Sequence, residues 1–333
     1  YINNNSHFFT RKCSMTAVVN SPRGVAIFGG TGFIGKCLIK GMLLENNIPI
    51  RVFTRNVGMV GNCSNSNITY IYGNLDSFDD IYNFVIGQKV VINLAYISED
   101  REANLDFASN LINACIAAGI ERVLHCSTAV VAGRVAGNVV DEKTICNPIT
   151  EYEKTKLCIE NKMISISLDR IGLIIVRPTA VFGGEGLNLV KVVNSILHKG
   201  YINNMIYIMI NRYRKMHLVH VDTVVQAILF LSFFERNISG EVFIVSSDNE
   251  VCNNYFSVVE CITKSLGVSQ YPKLFFPFSE KIVKLILTLT GRSQIDPCQI
   301  YSSKKLMQTG FKYSGNFIKE VEEFALISSK SFK

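Results

Sequence analysis

The chain has 333 residues, 48% of them hydrophobic, which is length for one large domain or two unequal ones with a sizeable core. Only 18% of residues are charged and 7 are proline, which excludes wholesale disorder. Lys+Arg 34 against Asp+Glu 27 gives a net charge of +7, scattered except at Arg212, Arg214 and Lys215, so no nucleic-acid footprint is expected.

The first 22 residues are polar, lack the apolar core of a secretory signal, and read as a loose extension. From Gly24 to Phe28 an apolar run ends in glycines, and apolar residues then recur at helical spacing from Phe33 to Glu45. Strands are expected at Ile50–Phe53, Ile68–Tyr72, Val90–Leu94, Arg122–Cys126 and Leu173–Val176. Helices are expected at Phe78–Ile86, Arg101–Ala118 and Glu151–Asp169. The strands are continuously apolar rather than alternating, which marks a parallel sheet covered on both faces. The predicted fold class is therefore α/β: a doubly wound, Rossmann-type sheet over residues 23–183.

After Gly183 the rhythm changes. Leu187–His198 and Asp222–Phe234 read as helices and Val242–Ser246 as a strand, with Tyr201–Met216 expected to be irregular. Residues 184–333 are expected to form a smaller, mainly helical substrate-binding part, some of it returning to the sheet. Pro272 and Pro277 act as breaks. Lys281–Leu289 reads as an apolar helix, ended by Gly291, that closes the cleft, packs on the core or touches a membrane surface. No apolar run reaches the ~18–20 residues of a membrane span. The ten cysteines include no CxxC pair, and read as reduced thiols of a cytoplasmic protein rather than a disulfide or metal framework.

Three motifs carry chemistry. Gly29, Gly32 and Gly35, with Thr31, Phe33 and Ile34 between them, lie where a strand passes into a helix. Glycine lets backbone amides approach a pyrophosphate, and the helix N-terminus favours that anion. Tyr152 and Lys156 are four apart on a helix and share a face. A neighbouring ammonium is expected to draw the phenol pKa down from about 10 toward working pH, making Tyr152 an acid/base. Ser127 and Thr128 stand at a strand end, where either hydroxyl can reach a substrate oxygen.

These motifs, with Arg177–Gly183 and Leu218–Asp222, resemble the extended short-chain dehydrogenase/reductases. The nearest resemblance is to the NAD(P)-dependent nucleotide-sugar epimerases, dehydratases and reductases, from about Gly24 to Val245. The resemblance implies that Thr128 bonds the reacting oxygen, Ser127 being its alternative, and that Tyr152 is the acid/base with Lys156 its partner. It implies that Asn74, Leu75, Leu94, Ala95, Pro178 and Val181 border the cofactor. It also makes His220 a core residue ahead of a helix. The pattern departs at Ala180 and Met216, where diphosphate-binding Asn and Arg are usual, so that Arg212, Arg214 and Lys215 are candidates for the diphosphate; a solvated loop is the alternative for them. Ala129-Val130 replaces the acidic pair of sugar dehydratases, which argues against a 4,6-dehydratase. No carboxylate ends the second strand, where Arg55 is placed to pair with a 2′-phosphate, so NADP is favoured slightly over NAD. The implied substrate is a nucleotide sugar in polysaccharide synthesis, for 4-epimerisation or 4-keto reduction, and a homodimer fits the family. Rivals are a 3β-hydroxysteroid-type dehydrogenase and a non-catalytic dinucleotide sensor.

Overall fold

The computed structural model describes residues 24–45, 48–60, 65–98, 100–198, 201–212, 214–268, 279–290, 294–313 and 315–330. The extension at 1–22, Cys13, Cys63, Pro272, Pro277 and Gly291 lie outside these.

Seven parallel strands form the central sheet: β1 (Val25–Phe28), β2 (Ile50–Thr54), β3 (Ile68–Tyr72), β4 (Val90–Asn93), β5 (Arg122–Cys126), β7 (Gly172–Pro178) and β10 (Glu241–Val245). Their order is β10-β7-β5-β4-β1-β2-β3. Alternate residues feed two cores. Val25, Ile27, Val52, Ile92, Leu124 and Val176 face α1 (Phe33–Glu45) and α7 (Val221–Ser232). Ala26, Phe28, Val91, Val123 and Ile175 face α2 (Phe78–Val85), α3 (Arg101–Ala117) and α4 (Glu151–Ser167). Burial on both faces is why the strands carry no hydrophobic–polar alternation.

Part of the remaining chain makes a third layer. Phe182, from β8 (Ala180–Phe182), and Leu218, from β9 (Leu218–His220), pack with α5 (Val190–His198), α6 (Tyr201–Asn211), α8 (Tyr255–Ser265) and α11 (Phe317–Lys330). β8 and β9 pair in parallel, as do β6 (Val139–Val140) and β11 (Ile300–Tyr301). α10 (Lys304–Gln308) follows β11 and packs against β10.

One stretch differs from expectation. Residues 201–211 form α6 rather than an irregular segment. Its buried stripe is Asn204, Ile208 and Asn211, so two of three inward positions look like turn residues. Asn204 is instead used across the helix pair, accepting from Ser195 Oγ at 2.8 Å and donating to Ser195 O at 2.8 Å. The expected helix after Pro277 forms as α9 (Glu280–Leu289), with Val283 and Leu287 buried and Ile282, Leu285 and Leu289 exposed. Among the described residues no helix is long and apolar enough to cross a membrane. The described cysteines are free thiols, with Cys115, Cys126 and Cys261 buried.

His220 is buried, as expected of a core residue, and its Nδ1 caps α7 by accepting from Asp222 N at 3.3 Å. Burial holds its pKa down near 4, so the ring is neutral and able to accept.

Candidate active site

The loop after β1 and the loop after β4 meet where the strand order reverses, which is where open α/β sheets bind ligands. Gly29 has φ +74°, and a methyl group there would lie 2.7 Å from the Ala95 amide nitrogen. At Gly35 a methyl would lie 2.3 Å from Gly29 O. Both positions therefore demand glycine. Thr31 and Gly32 are exposed at the tip of this turn, and α1 begins at Phe33 with no acidic residue in its first turn. An exposed glycine turn leading into a helix N-terminus free of acidic residues in its first turn fits a pyrophosphate. Ile34 is half-buried behind it, and Phe33 packs against Gly186.

The other cofactor candidates lie along the same carboxyl edge. Arg55 is exposed immediately after β2. Its neighbours are engaged locally, since Thr54 Oγ1 accepts from Asn56 N at 3.0 Å and Asn56 Oδ1 accepts from Gly58 N at 2.9 Å. Asn74, after β3, is exposed, with its Oδ1 accepting from Asp76 N at 3.2 Å, while Leu75 is buried. Leu94 and Ala95 are half-buried, and Ala95 N donates to Asn93 Oδ1 at 3.0 Å. Pro178 ends β7, and Val181 is buried in β8, inside the core behind α1.

At the end of β5, Ser127 and Thr128 take different roles. Ser127 is buried and its Oγ finds no partner among the described residues. Thr128 is half-buried, and its Oγ1 accepts from Val130 N at 3.4 Å, capping the turn Ala129–Ala132. His125, two residues earlier and on the face Ser127 shares, contacts Asn93 Nδ2 through Nδ1 at 3.1 Å. Burial first, then Lys156, pushes His125 down to about 3.

α4 presents Tyr152 and Lys156. A full capping box starts it, with Thr150 accepting from Glu153 N at 3.3 Å and Glu153 accepting from Thr150 N at 3.1 Å. One turn beyond Lys156, buried Glu160 receives Arg177 Nε at 3.1 Å and pins the helix to β7. The Tyr152 ring meets the Tyr96 ring edge-on at 5.4 Å, and Lys156 Nζ lies 4.5 Å from the centre of that same ring.

The expected lowering of the Tyr152 pKa is not seen in this state. Burial, then Cys126 and Tyr96, raise it to about 12. Burial likewise lowers Lys156. The sequence pattern conveys spacing but not desolvation, and here desolvation is the largest influence on both groups.

The cationic trio lies between α6 and β9, each member engaged with protein. Arg212 stacks on Phe256 at 4.6 Å, and Arg214 Nη1 reaches Asn211 Oδ1 at 3.5 Å. Lys215 Nζ donates to Asp248 O at 3.1 Å and Glu250 O at 3.3 Å. Sequence reasoning missed Tyr96, the Asn93–His125 pair, and the buried His217–Asp248 pair at 2.6 Å beside Tyr301. The signal for Tyr96 is its place just past the end of β4, level with the glycine turn.

The model of the NAD dependent epimerase/dehydratase family matches residues 25–246, two-thirds of the chain. The chain belongs to that family. It is similar to UDP-glucose 4-epimerase of Vibrio cholerae, 23% identical over 82% of this chain and 84% of that one. The human sterol-4-alpha-carboxylate 3-dehydrogenase, decarboxylating, is also 23% identical, over 78% of this chain and 70% of that one. An uncharacterized protein, y4nG of Sinorhizobium fredii, is 27% identical, but the match spans 52% of this chain and less than half, 45%, of that one. Among solved structures, UDP-glucuronic acid 4-epimerase from Bacillus cereus in complex with NAD superposes with a TM-score of 0.68. It is 17% identical, over 93% of this chain and all of that one. The dTDP-glucose 4,6-dehydratase of Bacillus anthracis gives 0.69 at 17% identity, over 92% and 97%. At such identities the structural likeness establishes the family's seven-stranded Rossmann-like fold for this chain.

Proposed function

We propose that this chain is a nicotinamide-dinucleotide oxidoreductase acting at C4 of a nucleoside-diphosphate sugar, by 4-epimerisation or 4-keto reduction. The observation that carries the reading is that Tyr152 and Lys156, four apart on α4, both contact the Tyr96 ring and both feel Cys126 at the end of the strand that leads to Thr128. The dinucleotide, when bound, supplies hydride exchange with the sugar carbon. Gly29, Thr31, Gly32, Phe33, Ile34 and Gly35 would hold its pyrophosphate, Arg55, Asn74 and Leu75 its adenosine end, and Leu94, Ala95, Pro178 and Val181 its nicotinamide side.

The remaining work falls to three side chains. Tyr152 exchanges the hydroxyl proton of the reacting carbon. Thr128 donates to the same oxygen and orients it. Lys156 lowers the cost of the phenolate and can donate to a ribose hydroxyl. Arg212, Arg214 and Lys215 supply positive charge for the diphosphate. A second reading, a 3β-hydroxysteroid-type dehydrogenase, is favoured by Ala180 and Met216, which leave two apolar or small side chains where diphosphate ligands are usual.

Ligand-induced stabilisation separates the two. UDP or a UDP-sugar at 100 times its Kd should stabilise the fold by about 2.7 kcal/mol, and the rise in Tm should shrink in the Arg212→Ala/Arg214→Ala/Lys215→Ala variant. No shift with any nucleoside diphosphate at millimolar concentration selects the steroid-type reading.

Cofactor choice is read from Arg55. Arg55 is exposed immediately after β2 and carries the fixed positive charge that would pair with a 2′-phosphate there. NADPH should bind the wild type more tightly than NADH, and Arg55→Ala should lose about 1.5–3 kcal/mol of that preference, the worth of hydrogen bonds to a charged group. Equal loss for both cofactors, measured by fluorescence titration, would remove the phosphate role and return the choice to NAD.

A further inference from the structure

Tyr96 touches both members of the candidate acid/base pair, and nothing in the motif set assigns it. Its backbone is pinned from either side. Ala95 N donates to Asn93 Oδ1 at 3.0 Å, and Ile97 N donates to the buried Asn104 Oδ1 at 3.0 Å, with Asn104 Nδ2 returning a bond to Ile97 O. The ring so placed carries Lys156 Nζ over its face at 4.5 Å and meets the Tyr152 ring at 83°, centroids 5.4 Å apart.

The Lys156 side chain is buried, and a buried ammonium loses hydration that its surroundings must replace. The groups facing it are His125 and Cys126 from β5, Glu160 from its own helix, and Tyr96 from the loop after β4. His125 is neutral, and Glu160 is already held by Arg177. The aromatic face offers negative potential without accepting a conventional hydrogen bond, so it favours the charged amine while leaving the N–H groups free to serve cofactor and phenol.

We propose that Tyr96 is a positioning residue: its ring seats the Lys156 ammonium and braces the Tyr152 ring, keeping the lysine charged and the two side chains aligned. The contribution belongs to the ring, not to the hydroxyl. The inference rests on the acid/base reading of Tyr152 and Lys156, but its test does not depend on knowing the substrate.

The purified protein would be labelled with [ε-13C]lysine and the Lys156 signal assigned by its absence in Lys156→Gln. Wild type and Tyr96→Phe should titrate together. Tyr96→Leu should titrate about one pH unit lower, the scale of a desolvated cation–π contact. Tyr96 is half-buried on a loop, and Tyr96→Met provides a second ring-free variant should Leu perturb folding. On a UDP-sugar that the wild type turns over, the ring-free variants should lose at least tenfold in kcat with KM little changed, and their high-pH limb should move down with Lys156. Coincident lysine titrations in wild type and a folded ring-free variant would overturn the proposal. So would a Tyr96→Phe variant as impaired as Tyr96→Leu. If the wild type turns over no nucleotide sugar, the substrate reading fails while the lysine titration still decides the role of Tyr96.

Discussion

Replacing Tyr152 by Phe should lower turnover by ~10²–10⁴ while leaving the fold and dinucleotide binding intact. The phenyl ring of the variant keeps the edge-on contact with Tyr96, so the loss is confined to one O–H group. Burial, with Cys126 and Tyr96, holds the phenol up at about 12, so at neutral pH it carries its proton. On the proposed acid/base role, that proton is the one given to the developing alkoxide in the reductive direction. In the oxidative direction the phenolate is required, and turnover should climb with pH until the charge on Lys156 is lost. The check is single-turnover kinetics in both directions on the purified variant, with dinucleotide affinity measured alongside. Near-normal turnover would remove Tyr152 from the mechanism.

Glu160→Ala should cost ~3–5 kcal/mol of folding stability, because it leaves the Arg177 guanidinium buried without its countercharge. The side chains are 1% and 10% exposed, so solvent can do little to compensate. Arg177 Nε lies 3.1 Å from both carboxylate oxygens, and the pair ties α4 to β7 one turn past Lys156. Denaturant titration should show a lower midpoint with an unchanged slope. The double variant Glu160→Leu/Arg177→Met should recover most of the loss, since the cost lies in the unpaired charge rather than in the absent bridge. A double variant as unstable as Glu160→Ala would show that packing volume, not charge, dominates there.

The parts legible in the sequence are those whose physics is local or linear. Continuous apolar strands, the glycine turn from Gly29 to Gly35, and the Tyr152–Lys156 spacing each follow from backbone geometry along one segment. α6 is hidden because Asn204 and Asn211 occupy inward positions, and their carbonyl and hydroxyl partners on α5 and on their own helix are visible only in three dimensions. The pairing of β6 with β11 joins two-residue strands far apart in the chain, too short for any pattern. Tyr96 escapes for a related reason: its partners belong to a helix that begins at Glu151. The direction of the Tyr152 shift is not legible because desolvation depends on what covers the phenol, which spacing does not encode. Lys215 has the charge expected of an anion ligand, yet two backbone carbonyls already share its ammonium.

The seventh sheet strand, β10, and the covering helix α7 come from the chain after the third-layer helices α5 and α6. A nascent chain therefore emerges from the ribosome with β1 to β7 in hand but with the face bearing Ile27, Leu124 and Val176 still uncovered by α7. That apolar surface waits for Val224, Val225 and Ile228 to be synthesised before it can be closed. During this interval the incomplete sheet has an open edge at β7 and an unsealed face, the features that recruit chaperones and favour aggregation. Translation thus finishes the sheet only after α5 and α6 have been made, and before α8 and α11 of the same layer.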